Sequence, residues 1–266
     1  MTRKKPPLHQ RGILVLLITG VILVAGCTFP GQATSGSTPQ KTPVTVAFAS
    51  PPLAAATQTP DNTMTITPKG QALARFIDSM NVTSHWLSGT GAINWTTGDP
   101  DLSRPAYSSR VTHCSNFVAA ATLRLGVYIL RPPEHDQDNL VNAQNDWLNS
   151  QVAKDAGWTQ IPDAVSAQYY ANQGYLVVTS TKGSDRDSSD YAKMFGHIAI
   201  VRPSVRTRQE LVRNGPQLAQ AGWIYSANVS LRQGYSGVDG AWNSNGTGSV
   251  QFFMHPIDDR TLDAYS

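Results

Sequence analysis

The chain has 266 residues, 40% of them hydrophobic and 15% charged, with six Trp, nine Tyr and seven Phe. That is apolar matter enough for one sizeable domain, and it excludes a wholly disordered chain. The formal charge of +3 rests on Arg3, Lys4, Lys5 and Arg11, which meet no acidic residue before position 27; beyond them seventeen basic residues face eighteen acidic ones, too even a balance for a nucleic-acid partner.

Residues 1–27 read as an export signal, with a basic start, an apolar run from Gly12 to Ala25, and the small-residue junction Ala25-Gly26-Cys27. The run is short for a transmembrane helix. Val24-Ala25-Gly26-Cys27 resembles the lipobox of bacterial lipoproteins. That likeness implies cleavage before Cys27, lipidation of its thiol and new amino group, and anchorage to a membrane. Thr28 stands where retention in an inner membrane usually shows Asp, which points to the outer membrane if the source has one. An uncleaved anchor and an ordinary secretory signal are the alternatives, and each puts the bulk of the chain outside the cytoplasm. From Thr28 to Thr67, six prolines lie among Ser, Thr, Gln, Ala and Gly. Such a segment buries too little to offset its ordering entropy and is expected to be a disordered tether. With Cys27 lipidated, Cys114 has no disulfide partner, an unusual state for an exported thiol.

The folded domain is expected from Pro68 to Ser266. Leu73, Phe76, Ile77 and Met80 predict a helix over Pro68–Met80, with Pro68 in its first turn. A loop-rich stretch follows. Phe117, Val118, Ala121 and Leu125 predict a helix over Ser115–Leu125, stopped by Gly126. Further helices are expected at Asn142–Leu148 and Pro162–Asn172. Tyr175–Thr179, His197–Val201, Gln217–Ala221, Trp223–Tyr225 and Val250–Met254 read as short strands. Helices first and strands later predict an α+β domain, with helices packed on a small antiparallel sheet.

Three residues stand out chemically. Cys114 opens a predicted helix, where free N–H groups favour a thiolate and can stabilise an oxyanion. A small buried apolar cysteine is the plain alternative. His197 opens a strand after Gly196, polar where polarity is costly unless paired. It is either a satisfied core histidine or the base of a Cys–His pair. Gln220, polar between two alanines, is either a solvent-facing strand residue or the group that orients the imidazole, with Asn228 as its substitute. Trp95, amid Gly and Asp, is a candidate groove residue or an ordinary packing aromatic. His113 and Asn116 flank the cysteine as candidate substrate contacts. The polar run Ser180–Lys193, just before His197, reads as a solvated loop or a lid. No zinc-ligand spacing, phosphate loop or haem motif occurs, so neither a metal nor a cofactor is expected.

The order of Cys114 at a helix start, Gly196-His197-Ile198-Ala199-Ile200-Val201 on a strand and Gln220 on the next resembles the CHAP and NlpC-type cysteine amidases. Thr112-His113-Cys114-Ser115, Leu130-Arg131-Pro132-Pro133-Glu134-His135, Gln144-Asn145-Asp146-Trp147-Leu148 and Gln220-Ala221-Gly222 also look like a group of exported bacterial proteins with that fold. The resemblance implies a papain-like fold, cleavage of amide bonds in peptidoglycan peptides, Cys114 as nucleophile, His197 as base and Gln220 as orienting residue. His113 and Asn116 depart from the NlpC pattern, which has Asp before the cysteine and a small residue two after it. Gln220 lies further downstream than the Glu or Asn of CHAP domains. The expectation is thus a lipid-anchored amidase or endopeptidase acting on peptidoglycan or another envelope peptide. The alternatives are a non-catalytic envelope-binding or scaffolding lipoprotein on the same fold, and an enzyme acting on a different amide.

Overall fold

The computed structural model describes residues 64–89, 91–103, 112–184, 189–243, 246 and 248–266. The chain divides into two units, Met1–Ala54 and Ala55–Ser266, and every described residue belongs to the second. The leader, Cys27 and most of the expected tether lie outside the described residues. Residues at the expected tether's end are bonded to the domain: Met64 N–H donates to the Arg206 carbonyl, while Thr67 gives both its N–H and its hydroxyl to the Asn172 carbonyl. Thr67 also caps the first helix, accepting from Gly70 N–H at 3.1 Å.

The elements in order are α1 (Pro68–Ser79), α2 (Cys114–Arg124), α3 (Leu140–Leu148), α4 (Gln151–Asp155), β1 (Thr159–Ile161), α5 (Ala164–Asn172), β2 (Leu176–Thr181), α6 (Tyr191–Met194), β3 (His197–Val201), α7 (Arg208–Asn214), β4 (Gln217–Gln220), β5 (Ser226–Ser230), α8 (Leu231–Gly234), β6 (Gln251–His255) and α9 (Asp259–Asp263). The strands form one six-stranded antiparallel sheet in the order β1-β6-β2-β3-β4-β5. The α+β expectation holds. Trp223–Tyr225, expected as a strand, is instead the turn into β5, because the Gln220 side chain bends back to hold the Ile224 carbonyl at 2.7 Å. Among the described residues, no helix is long and apolar enough to cross a membrane.

The sheet is covered on both faces. One core joins α1 and α2 to Leu176, Val178, Ile198, Ile200, Ala219 and Phe253. The other joins α5 and the region of α8 to Val177, Ala199, Val201, Leu218, Phe252 and Met254. Period-two alternation thus feeds two cores, which is why the central strands read as continuous apolar runs. Every residue of β2, β3 and β4 is buried, so each polar side chain on them needs an internal partner.

Two buried amides set the strand on which His197 sits. Asn142 Oδ1 accepts from Gly183 N–H (3.0 Å) and Gly196 N–H (3.2 Å), and its Nδ2 donates to the Met194 carbonyl. It therefore pins both ends of the excursion between β2 and β3. Gly196 admits no side chain: a Cβ there would lie 1.8 Å from the Thr181 carbonyl oxygen. Gln168 bridges the next excursion, donating to the Arg202 carbonyl and accepting from Gln217 N–H. Substituting Asn142→Ala leaves two half-buried N–H groups without this partner, at a cost of about 1–2 kcal/mol. The expected outcome is a lower urea midpoint with an unchanged m-value, measured by circular dichroism; an unmoved midpoint would show that the pin is dispensable.

Candidate active site

The α2 helix begins at Cys114, one residue earlier than its apolar spacing predicts. Its first intrahelical bond runs from Phe117 N–H to the His113 carbonyl, so the preceding N–H groups are free of helix acceptors. The backbone at Cys114 and Ser115 and the Thr112 side chain favour the thiolate there. The helix packs on β3, with Cys114, Phe117, Val118 and Ala121 in the same core as Ile198 and Ile200. The Ile198 backbone is among the groups that favour the Cys114 thiolate, which sets the sulfur near the peptide that follows His197. Here the sheet opens: β3 and β4 pair at Ile200↔Ala219 and Val201↔Leu218, and no pair continues toward His197.

His197 takes the other face, where its ring meets Tyr235 edge to face, centroids 4.6 Å apart. Its Nε2 lies 3.1 Å from Gln220 Oε1. The direction of that bond follows from Gln220 itself. Its Nε2 donates to the Ile224 carbonyl at 2.7 Å and to the Gly234 carbonyl at 3.3 Å, so the amide oxygen must face the ring. The imidazole then carries its proton on Nε2, and Nδ1 keeps the lone pair. Two glycines make room: a Cβ on Gly222 would lie 2.9 Å from His197 Cε1, and one on Gly234 would lie 2.4 Å from Gln220 Oε1.

Cys114, His197 and Gln220 are 2%, 6% and 0% exposed, so the site is nearly closed to solvent. Burial pushes the Cys114 thiol above its ordinary value, against the pull of its hydrogen bonds with Ile198, Ser115, Thr112 and its own N–H. The thiolate expected at a helix start gives way to a neutral thiol, because removing a charge from water outweighs a few N–H dipoles. Burial also drives His197 down to about 4, while the bond to Gln220 acts in the opposite direction. The resting pair is neutral thiol and neutral imidazole.

The remaining candidates divide clearly. Gln220 is fully buried rather than solvent-facing, whereas its substitute Asn228 is exposed on β5. Asn116 is buried and donates to Gln137 Oε1 at 3.0 Å, and His113 is 2% exposed, with burial pushing its pKa down to about 4. Both are buried to about the same degree as Cys114. Trp95 is half-buried on an open cavity of about 650 Å3 whose wall includes Asp99, Asp101 and Gln137; neither Cys114 nor His197 lines it. In the polar run before His197, Asp185, Arg186 and Asp187 lie outside the described residues. Among the described residues, no three His, Cys, Asp or Glu side chains cluster as metal ligands. Sequence reasoning missed Tyr235, whose only local signal is an aromatic among small polar residues.

Both buried histidines link stability to pH. Each has a folded pKa of about 4, below the ordinary histidine value of roughly 6.5, so the unfolded chain binds more protons between these limits. Their contribution is complete above pH 6.5 and is lost as pH falls toward 4, by at most about 3 kcal/mol per group. Urea midpoints are expected to be level above pH 7 and to drop steadily from 6.5 to 4. A pH-independent midpoint in that window contradicts burial of the two neutral rings.

No family model matches the chain. Over 157 residues, 59% of this chain and 84% of the relative, it is 26% identical to the peptidoglycan amidase Tse1 of Pseudomonas aeruginosa.

Proposed function

We propose that the chain is a cysteine amidase or endopeptidase with a papain-like fold, acting on amide bonds of cell-wall peptides and held to a membrane by lipid on Cys27. The observation that carries the reading is the fixed Gln220–His197 bond, which leaves Nδ1 its lone pair at the end of β3 where the pairing with β4 stops, on the strand against which the Cys114 helix packs. Likeness to a peptidoglycan amidase over more than half of the chain supports the same substrate class.

His197 Nδ1 takes the Cys114 proton as the sulfur attacks the amide carbonyl carbon, giving a tetrahedral oxyanion and an imidazolium. N–H groups at the α2 start face the developing charge. The imidazolium then gives its proton to the leaving amine as the C–N bond breaks, leaving a thioester on Cys114. Water, deprotonated by His197, attacks the thioester; collapse releases the carboxylic acid, and the sulfur regains its proton. Gln220 holds Nε2–H throughout and stabilises the imidazolium. The segment from Thr28 to the domain acts as the tether that lets an anchored enzyme reach wall polymer. The near-complete covering of Cys114, and its packing on the face of β3 opposite the His197 ring, favour a second reading, a non-catalytic binder of envelope peptides on the same fold.

Purified peptidoglycan treated with the full chain is expected to gain free amino groups, with at least about 10³-fold less gain for Cys114→Ala. Equal release by the two proteins removes the hydrolase and leaves the binder. Gln220→Ala is expected to lower kcat about tenfold to hundredfold at constant KM, since an unheld imidazole samples other tautomers and rotamers.

The acid limb of kcat/KM is expected near pH 4, where His197 gains its proton, rather than near 6.5. Alkylation of Cys114 by iodoacetamide is expected to have a midpoint above the free-cysteine value of about 8.5. A midpoint well below that value refutes the neutral resting pair.

A further inference from the structure

We propose that Tyr235 is a positioning residue for His197, its ring moored through the hydroxyl to β2 and setting the plane in which the imidazole meets Gln220. The inference rests on the catalytic reading of His197 and adds a wall to that site which no pattern of Cys, His and amide residues supplies.

Tyr235 caps α8 at its C-terminal end and is 2% exposed. Its hydroxyl is fully engaged: it lies 2.8 Å from Thr179 Oγ1, 3.0 Å from the Thr179 carbonyl and 3.4 Å from the His197 carbonyl. One phenolic proton serves the carbonyls while the oxygen accepts from the threonine hydroxyl. The phenol thus spans β2 and β3 at the residue it orients. Its ring stands at 73° to the imidazole, an edge-to-face contact that resists rotation of the histidine about its ring bond. Gly222 closes on the same ring from beyond β4, leaving no room for even a Cβ.

Gln220 alone fixes one ring nitrogen, and a single hydrogen bond leaves the ring free to swing about it. Tyr235 and Gly222 together remove that swing. Gly234, next to Tyr235 in the chain, supplies a carbonyl to Gln220. The short α8 turn therefore presents both the phenol that walls the imidazole and the acceptor that turns the amide. The titratable group in contact with His197 is Tyr235 itself; β2 offers Thr181 and Thr179, and β4 with its following turn offers Gln220 and Gly222.

Two variants of the full chain test the assignment, Tyr235→Phe and Tyr235→Leu, each read in two ways. The first readout is the NMR titration of ¹³C-labelled His197, which needs no substrate; the second is kcat and KM on peptidoglycan fragments. Tyr235→Leu removes the wall and admits water, so the His197 titration is expected to rise from about 4 toward the ordinary value of about 6.5, with the acid limb of the rate moving alongside it. Its kcat is expected to fall about a hundredfold with KM within twofold. Tyr235→Phe keeps the wall and frees its mooring, so kcat is expected to fall about threefold to tenfold at constant KM, with the titration unmoved. Should the leucine variant not fold, an unchanged kcat in the phenylalanine variant overturns the mooring. A leucine variant that folds and keeps both the titration and kcat of the parent overturns the proposal entirely. A parent chain that cleaves no amide removes the catalytic reading, while the titration still decides whether Tyr235 walls the ring.

Discussion

The amide of Gln220 cannot turn. Its nitrogen is held by the carbonyls of Ile224 and Gly234, so its oxygen is committed to His197. A reversed amide would set oxygen against two carbonyl oxygens inside the protein, where each unmet polar group costs a few kcal/mol. That constraint propagates in both directions. Outward, it bends the chain after β4 into a turn where a strand is expected. Inward, it decides which ring nitrogen of His197 bears the proton and which keeps the lone pair for chemistry.

A second constraint comes from covering the sheet on both faces. The central strands are dry, so a polar group on them survives only with a partner supplied by another element. Asn142 and Gln168 meet this need for backbone groups at the ends of β3, and Gln220 and Tyr235 meet it around the imidazole. The same dryness governs the titration of the site. Water is too scarce to solvate either ion, so both members of the pair rest uncharged. Proton transfer is then part of the chemical step rather than a condition set beforehand, and a base with a directed lone pair matters more than a preformed thiolate.

Much of the fold was legible from local pattern. The apolar spacing of Leu73, Phe76 and Ile77 marked α1, the run ending at Gly126 marked α2, and β3 fell on His197–Val201 as its β-branched, Pro-terminated sequence indicates. Each of these segments is long or regular enough for its period to exceed noise. β1, β5 and the short helices α4, α6, α7, α8 and α9 were not visible, whereas β3, β4 and β6, equally short, were: an apolar period-two strand shows itself in four or five residues, while a helix of four to seven completes at most two turns and takes its shape from what it packs against. Cys114 and His197 were visible as residue types out of keeping with their settings. Whether Gln220 faced solvent or the ring was undecidable from Leu218-Ala219-Gln220-Ala221, since alternation assigns a side of the strand but not what covers that side.

The sequence by itself determined the α+β class, the main helices and strands, and a thiol, an imidazole and an amide as the groups worth watching, because residue type and local period are properties of the chain. Only the tertiary structure decided that Gln220 rather than Asn228 meets His197, that Tyr235 walls the ring, and that Cys114 is a covered neutral thiol. Those outcomes depend on which layers close over a strand, and on how far closure excludes water. Both are set by contacts between segments distant in the chain, whose cost and reward no local pattern records.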